Sequence, residues 1–268
     1  MAILCSTSIR CGSSLEEALK AIRQLEFEGI DLLAIDGWVH VNTRDLVENF
    51  DNMIKYLDSM FGKYEIKPIA LNCGIGAQLH HRNTEVNLQR IKEIEALIRL
   101  MRYFDVKIAA IQPRNSDMER PWEDVLGDCV ETLREQKAMG DAAGVTFALE
   151  FHVNSPFETM SQIYRILEKM PEMPVVYDPS HFVMQGLDIR ETGWLLQNAV
   201  HVHLRDAAPG KLQSHFGAGR VDFDWILGEL KASDYRGHFS IEYLETEDMD
   251  ILDDVCKLRE YITGNFMV

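Results

Sequence analysis

Eight short apolar runs recur along the chain, separated by longer amphipathic stretches, and this alternation limits the fold more than any other feature. The runs are Ile3-Leu4-Cys5, Leu32 to Ile35, Ile69-Ala70-Leu71, Ile108 to Ile111, Phe147-Ala148-Leu149, Val175-Val176-Tyr177, Val200 to Leu204 and Phe239-Ser240-Ile241. Their apolar continuity is that of strands covered on both faces, as in a parallel sheet beneath helices. The stretches between them carry helical patterns. Ser13-Ser14-Leu15-Glu16 has capping-box spacing ahead of a face built from Leu15, Ala18, Ile22 and Leu25, with Gly29 as the expected stop. Ile91, Ile94, Ile98 and Met101 form a second stripe. Asp222 or Asp224 is placed to cap a helix carrying Ile226 and Leu230, and Ile251, Val255, Leu258 and Ile262 mark a last helix.

Eight such units in 268 residues average about 34 residues each, near the length of a βα repeat, and predict a (β/α)8 TIM barrel of the α/β class. A doubly wound sheet usually brings a glycine-rich phosphate turn after its first strand. Cys11-Gly12-Ser13-Ser14 has a single glycine, so no G-x-G-x-x-G is present. No Pro/Gly/Ser-rich linker divides the chain, and the polar stretch 115–121 falls where a βα loop is expected. One domain over residues 1–268 is the expectation.

Charge narrows the function. With 27 Lys+Arg against 43 Asp+Glu the formal net charge is −16, and no basic run reaches five residues, so a nucleic-acid partner is not expected. No apolar run approaches the roughly 18 residues of a membrane helix, and the N-terminus has no signal-peptide pattern. The five cysteines include no C-x-x-C pair, which points away from a disulfide framework or a cysteine zinc cluster. A cytoplasmic enzyme acting on a small molecule is the expectation.

In a barrel of this kind the active site forms at the C-terminal ends of the strands. The last four strands have polar tips: Glu150-Phe151-His152, Asp178-Pro179-Ser180-His181, His201-Val202-His203-Leu204-Arg205-Asp206 and Glu242-Tyr243. Glu150, Asp178, His203 and Glu242 are separated by 28, 25 and 39 residues, each about one unit, so one side chain per strand converges on the mouth. Three carboxylates brought together repel one another unless a cation joins them. Three oxygen donors and one imidazole suit one divalent metal ion, Mn²⁺, Mg²⁺, Co²⁺ or Zn²⁺, and the residues do not choose among them. A single acid at a strand tip is more often a helix cap, but four at this spacing are not explained that way. His201 shares the parity of His203 at a deeper level and reads equally as a core histidine. His152 and His181 lie just beyond ligands, where substrate contact is expected. Trp38 and His40, after strand two, are read as a sugar platform and polar contact, or as loop packing. Arg205, Arg114 and Lys211 are candidates for a phosphate or carboxylate near the mouth.

The segments Ala148-Leu149-Glu150, Asp178-Pro179-Ser180-His181, 201–206, 217–223 and 237–242 resemble the recurring blocks of the xylose-isomerase-like barrels. That family includes sugar epimerases, inosose isomerases and dehydratases, 3-dehydroshikimate dehydratase and endonuclease IV. The resemblance implies one metal held by Glu150, Asp178, His203 and Glu242, proton exchange through Glu150 and Glu242, and substrate contact by His181. It also implies a homodimer or homotetramer. His152 is similar to a histidine of the dehydratase. The endonuclease pattern is incomplete. Where that enzyme places histidines after strands three and four, this chain has Asn72 and Gln112, and Gln213-Ser214-His215 keeps only the histidine of an Asp-x-His. One metal is therefore expected rather than three, with Gln112 left to substrate.

A metal on a carbonyl and a neighbouring hydroxyl stabilises the enediolate formed when the adjacent C–H gives its proton to a carboxylate. Protonation from the other face inverts the centre, protonation of the next carbon moves the carbonyl, and loss of a β-hydroxyl dehydrates. The expected activity is a metal-dependent sugar or polyol isomerase or epimerase. Dehydration of a keto-polyol or keto-acid is the alternative, DNA repair a distant third, and a barrel that works only with a partner chain remains open.

Overall fold

The computed structural model describes residues 1–117 and 119–267, so Met118, within the polar stretch after the fourth strand, lies outside the described residues. Eight strands are found among them: β1 Ile3–Ser6, β2 Gly29–Ile35, β3 Lys67–Gly74, β4 Ile108–Ile111, β5 Thr146–Glu150, β6 Val175–Tyr177, β7 Ala199–Leu204 and β8 His238–Ile241. All are parallel where paired, and they close in chain order into a barrel. Every apolar run read from the sequence falls on one of these strands. β2 is buried along its whole length, as expected of a strand covered on both faces.

The helices are α1 Leu15–Gln24, α2 Thr43–Glu48, α3 Phe50–Tyr64, α4 Thr84–Tyr103, α5 Trp122–Ala143, α6 Met160–Lys169, α7 Pro179–Met184, α8 Phe223–Ala232 and α9 Leu252–Phe266. No helix is long and apolar enough to cross a membrane among the described residues. Two readings of α1 need correction. Its capping box is Ser14 with Glu17, not Ser13 with Glu16. Both pairs have the required spacing, and Glu16 is instead drawn to Lys63 and Tyr64 on α3. Gly29 is not the stop either. The chain leaves the helix at Leu25, Glu26 takes the left-handed turn at φ 61, and Gly29 already opens β2. Asp222 caps α8 by accepting the Trp225 N–H, and Ile226 and Leu230 are buried as read.

The chain divides into two compact units. The first comprises residues 1–31, 61–67 and 175–268, the second residues 32–60 and 68–174. In the first, β6-β7-β8-β1 pair in order, and Ile3, Leu4 and Cys5 of β1 lie level with Phe239, Ser240 and Ile241 of β8. α9 covers this sheet through Val255, Leu258 and Ile262, and Phe239 meets Phe266 edge to face with centroids 4.9 Å apart. In the second, β3, β4 and β5 run parallel, with Cys73 level with Ile111 and Ile111 level with Leu149. α5 ends on Gly144, which adopts φ 71 and turns the chain into β5.

Candidate active site

The first unit gathers the chemistry-bearing residues of β6, β7 and β8. Asp178 follows β6 and opens α7, with Pro179 in the first helical position. Its Oδ1 accepts the Ser180 N–H at 2.8 Å, while Oδ2 lies 2.8 Å from Arg205 Nη2 and 3.6 Å from His181 Nε2. Capping and site duty are thus divided between the two oxygens of one carboxylate. On β7 and just beyond it, residues 201, 203 and 205 share a parity. The register sets His203 level with Ser240, and the ladder continues past the strand ends through Glu242 N–H to Leu204 O at 3.0 Å. His203 Nδ1 consequently lies 3.1 Å from Glu242 Oε2. One potential ligand atom each of Asp178, His203 and Glu242 falls within 4.8 Å of the others, and all three residues are buried.

Two residues of this unit take parts that the sequence did not disclose. Asp31, a lone acid in the apolar strand β2, accepts at one oxygen from His201 Nε2 at 2.9 Å and from His203 Nε2 at 3.1 Å. With Nε2 donating to Asp31, the ring of His203 is left with Nδ1 as its lone-pair atom, turned toward Glu242. Burial works to raise the Asp31 pKa, but the hydrogen bonds and charges of His201 and His203 outweigh it and hold the carboxyl well below the usual range. The only signal was the presence of an acid in the otherwise apolar run from Gly29 to Ile35. Arg205, read as an anion binder at the mouth, is 2% exposed, and its donors go inward. Nε bonds Ser180 Oγ at 2.9 Å, Nη1 bonds Glu242 O at 2.8 Å and Nη2 bonds Asp178 Oδ2. His181 lies beside it, its pKa depressed by burial first and then by the Arg205 and His203 charges, so its ring is neutral. His201 is lowered by burial as well, against the pull of Asp31. It is a fully buried histidine whose Nε2 is committed to that carboxylate.

In the second unit Glu150 closes β5 and is 1% exposed. His152 Nε2 stands 3.9 Å from its Oε2. Gln112 follows β4 and continues the ladder by donating its N–H to Cys73 O at 2.9 Å, and Asn72 is buried in β3. Trp38 and His40 belong to a turn that folds back on β2, His40 N–H bonding Leu33 O at 2.9 Å, with Trp38 47% exposed at its tip. Arg114 is half-buried and Lys211, in the first unit, is exposed.

The donor set of the first unit fits a cation. Asp31, Asp178 and Glu242 are buried together with two neutralisable histidines and one guanidinium, and carboxylates out of water demand compensating positive charge.

Comparison with known proteins agrees with the fold. The family model described as xylose isomerase-like TIM barrel matches residues 19–260. Inosose isomerase of Halalkalibacterium halodurans is 23% identical over 224 residues, covering 78% of this chain and 79% of that one. Among solved structures, a D-tagatose 3-epimerase-like protein superposes with a TM-score of 0.77 at 19% identity, over 99% of this chain and 97% of the other. The IolI protein with a bound zinc atom gives 0.73 at 18% identity over the full length of both chains.

Proposed function

Because the chain belongs to the xylose isomerase-like TIM barrel family, we infer that it is a metal-dependent isomerase or epimerase of a sugar or polyol, working through an enediolate. The observation that carries this reading is the convergence of Asp178, His203 and Glu242 on one point, buried and short of positive charge. Glu150, which closes β5 and is buried, is taken as the fourth ligand. A divalent cation held by these four residues, manganese first and magnesium, cobalt or zinc as alternatives, supplies the positive charge that lowers the cost of the enediolate oxygens. The zinc of the IolI neighbour supports a divalent ion as the class.

The chain's own groups then divide the work. Glu150 takes the proton from the carbon beside the carbonyl and Glu242 returns one from the other face. His181, neutral and fixed beside Arg205, offers a hydrogen bond to a substrate oxygen. Arg205 orients Asp178 and Glu242 and keeps them apart. His152, Gln112, Trp38 and His40 are the remaining substrate contacts of this reading. The proximity of His152 to Glu150, at 3.9 Å, favours one second reading. A second base beside the first would remove the proton of a keto-polyol or keto-acid that then loses a β-hydroxyl, which is dehydration.

Proton NMR of the Mn²⁺-loaded protein with ketoses, inososes and 3-dehydroshikimate in D₂O tests this reading. Deuterium entering beside the carbonyl, with an epimer or positional isomer as product, is the expected result, and an unsaturated product selects the dehydratase. Unchanged exchange in Glu150→Gln with metal retained would remove Glu150 from the proton transfer.

A further inference from the structure

β8 ends at Ile241, yet the backbone that carries Glu242 goes on being held as a strand is, with side chains in place of neighbouring strands. Between β1 and β8 the ladder sets Ile3 level with Phe239, Leu4 with Ser240 and Cys5 with Ile241, a constant offset of 236 residues. Ser8 and Leu244 stand at the same offset, although β1 has ended at Ser6 and the chain has entered a short helical turn over Thr7–Arg10. In a parallel ladder the slanted bonds of one residue reach the two neighbours of its level partner. Ser8 does this with one backbone group and one side-chain group. Its carbonyl accepts the Glu245 N–H at 3.1 Å. Its hydroxyl donates to the Tyr243 carbonyl at 2.8 Å, in place of a backbone N–H that is turned back to Ser6 Oγ at 3.2 Å.

The other edge is closed in the same manner. The Glu242 N–H still reaches Leu204 O at 3.0 Å, but Leu204 is the last residue of β7. The Gln213 amide takes over from there, accepting the Leu244 N–H and donating to the Leu244 carbonyl, each at 2.9 Å. Gln213 is half-buried and belongs to a connection gathered round the buried Asp206 carboxylate, which accepts the N–H groups of Ala207, Gly217, Gly219 and Val221 at 2.9 to 3.2 Å. Ser8 is fully buried, and its segment is tied down by Glu245, whose carboxylate accepts the Gly12 N–H at 2.9 Å and faces Arg10 Nη1 at 3.2 Å. Glu242 therefore opens a segment fixed from both sides, where the end of a strand ordinarily passes into a mobile loop.

We propose that Ser8 and Gln213 are positioning residues for Glu242, extending the ladder past the end of β8 so that its carboxylate keeps one place. Both act through the backbone of residues 243–245, Ser8 from the β1 side and Gln213 from the β7 side. A carboxylate that holds a cation and returns a proton must stay within about 0.5 Å of its working position, which a free strand end does not ensure. The inference rests on the reading of Glu242 as a ligand and proton donor, and its test separates the two.

The test is a double-mutant cycle read by calorimetric titration with Mn²⁺. Ser8→Ala and Gln213→Leu are each expected to weaken Mn²⁺ binding about tenfold with an unchanged circular dichroism spectrum, and to have no further effect in Glu242→Gln, where the group they position is already altered. A side chain that only stabilises the fold would shift the urea midpoint alike in both backgrounds and leave the affinity where it was. Affinity within a factor of two of the original in both variants overturns the proposal, and so does a loss of equal size in the Glu242→Gln background. Coupled loss of affinity in a protein silent in the D₂O exchange assay keeps the positioning role and rejects the isomerase reading. If the unaltered protein takes up no Mn²⁺, the metal reading falls and amide hydrogen exchange decides this proposal alone. The Leu244 N–H is then expected to be protected and to exchange about tenfold faster in Gln213→Leu, and equal exchange overturns the proposal.

Discussion

His203 Nε2 lies 3.1 Å from Asp31 Oδ2, and this contact determines which nitrogen of the ring faces Glu242. An imidazole is oriented by the group its second nitrogen bonds, and here that group is a carboxylate on a strand 172 residues earlier in the chain. His201 shares the same oxygen, its ring edge-on to that of His203 with centroids 4.9 Å apart. Asp31 therefore holds two imidazoles in place while only one of them reaches the site.

Asp31→Asn keeps the shape and removes the anion that both histidines face. Mn²⁺ affinity, read by calorimetric titration, is expected to fall about 10- to 100-fold while the circular dichroism spectrum is unchanged. An affinity within a factor of two of the original would show that Asp31 does not orient His203.

Arg205 is the cation between Asp178 and Glu242, and Arg205→Met leaves both carboxylates buried without it. The metal-free variant is expected to lose about 3–5 kcal/mol of stability in urea denaturation, the usual cost of removing one partner of a buried pair. Divalent metal is expected to restore part of that loss, since a bound cation favours the folded state by mass action. Equal destabilisation with and without Mn²⁺ would separate Arg205 from the metal set.

A Cβ on Gly219 would meet the Asp206 carboxylate and the Ala207 carbonyl, so Gly219→Ala forces the connection after β7 away from the anion that organises it. A loss of about 1–3 kcal/mol is expected, with faster proteolysis confined to residues 207–221. Retained protease resistance at wild-type stability would mean that Asp206 is not what holds this connection.

His238 is held down to about 4, first by burial and then by the charge of His201. The folded state keeps this ring neutral where the unfolded chain, ionising near 6.5, takes up a proton. Its contribution is therefore complete above pH 6.5 and is lost as the pH falls toward 4. Urea midpoints measured between pH 7.5 and 4.5 are expected to fall less steeply in His238→Asn than in the unaltered protein. Parallel curves would assign the acid sensitivity to other groups.

Much of the architecture was legible because it rests on local periods. Each of the eight apolar runs became a strand, since a strand buried on both faces must be apolar throughout, and Asp178, His203 and Glu242 could be picked out as polar residues where that continuity breaks. The start of α1 was misread by one residue because Ser13 with Glu16 and Ser14 with Glu17 satisfy the same spacing. Packing chose between them by giving Glu16 to Lys63 and Tyr64, far away in the chain. Gly29 looked like a helix stop for a related reason, since a glycine after an amphipathic run marks either an end or the opening of a strand.

The order of strands and the polar residues at their tips were written in the sequence, because periodicity and one residue per unit need no knowledge of what lies opposite. Tertiary structure decided how the donors of each tip are used. The direction of the His203 ring depends on Asp31, and the employment of Arg205 depends on Asp178 and Glu242. These are relations set by register between segments distant in the chain, and a hydrogen bond is specified by the geometry of both partners together.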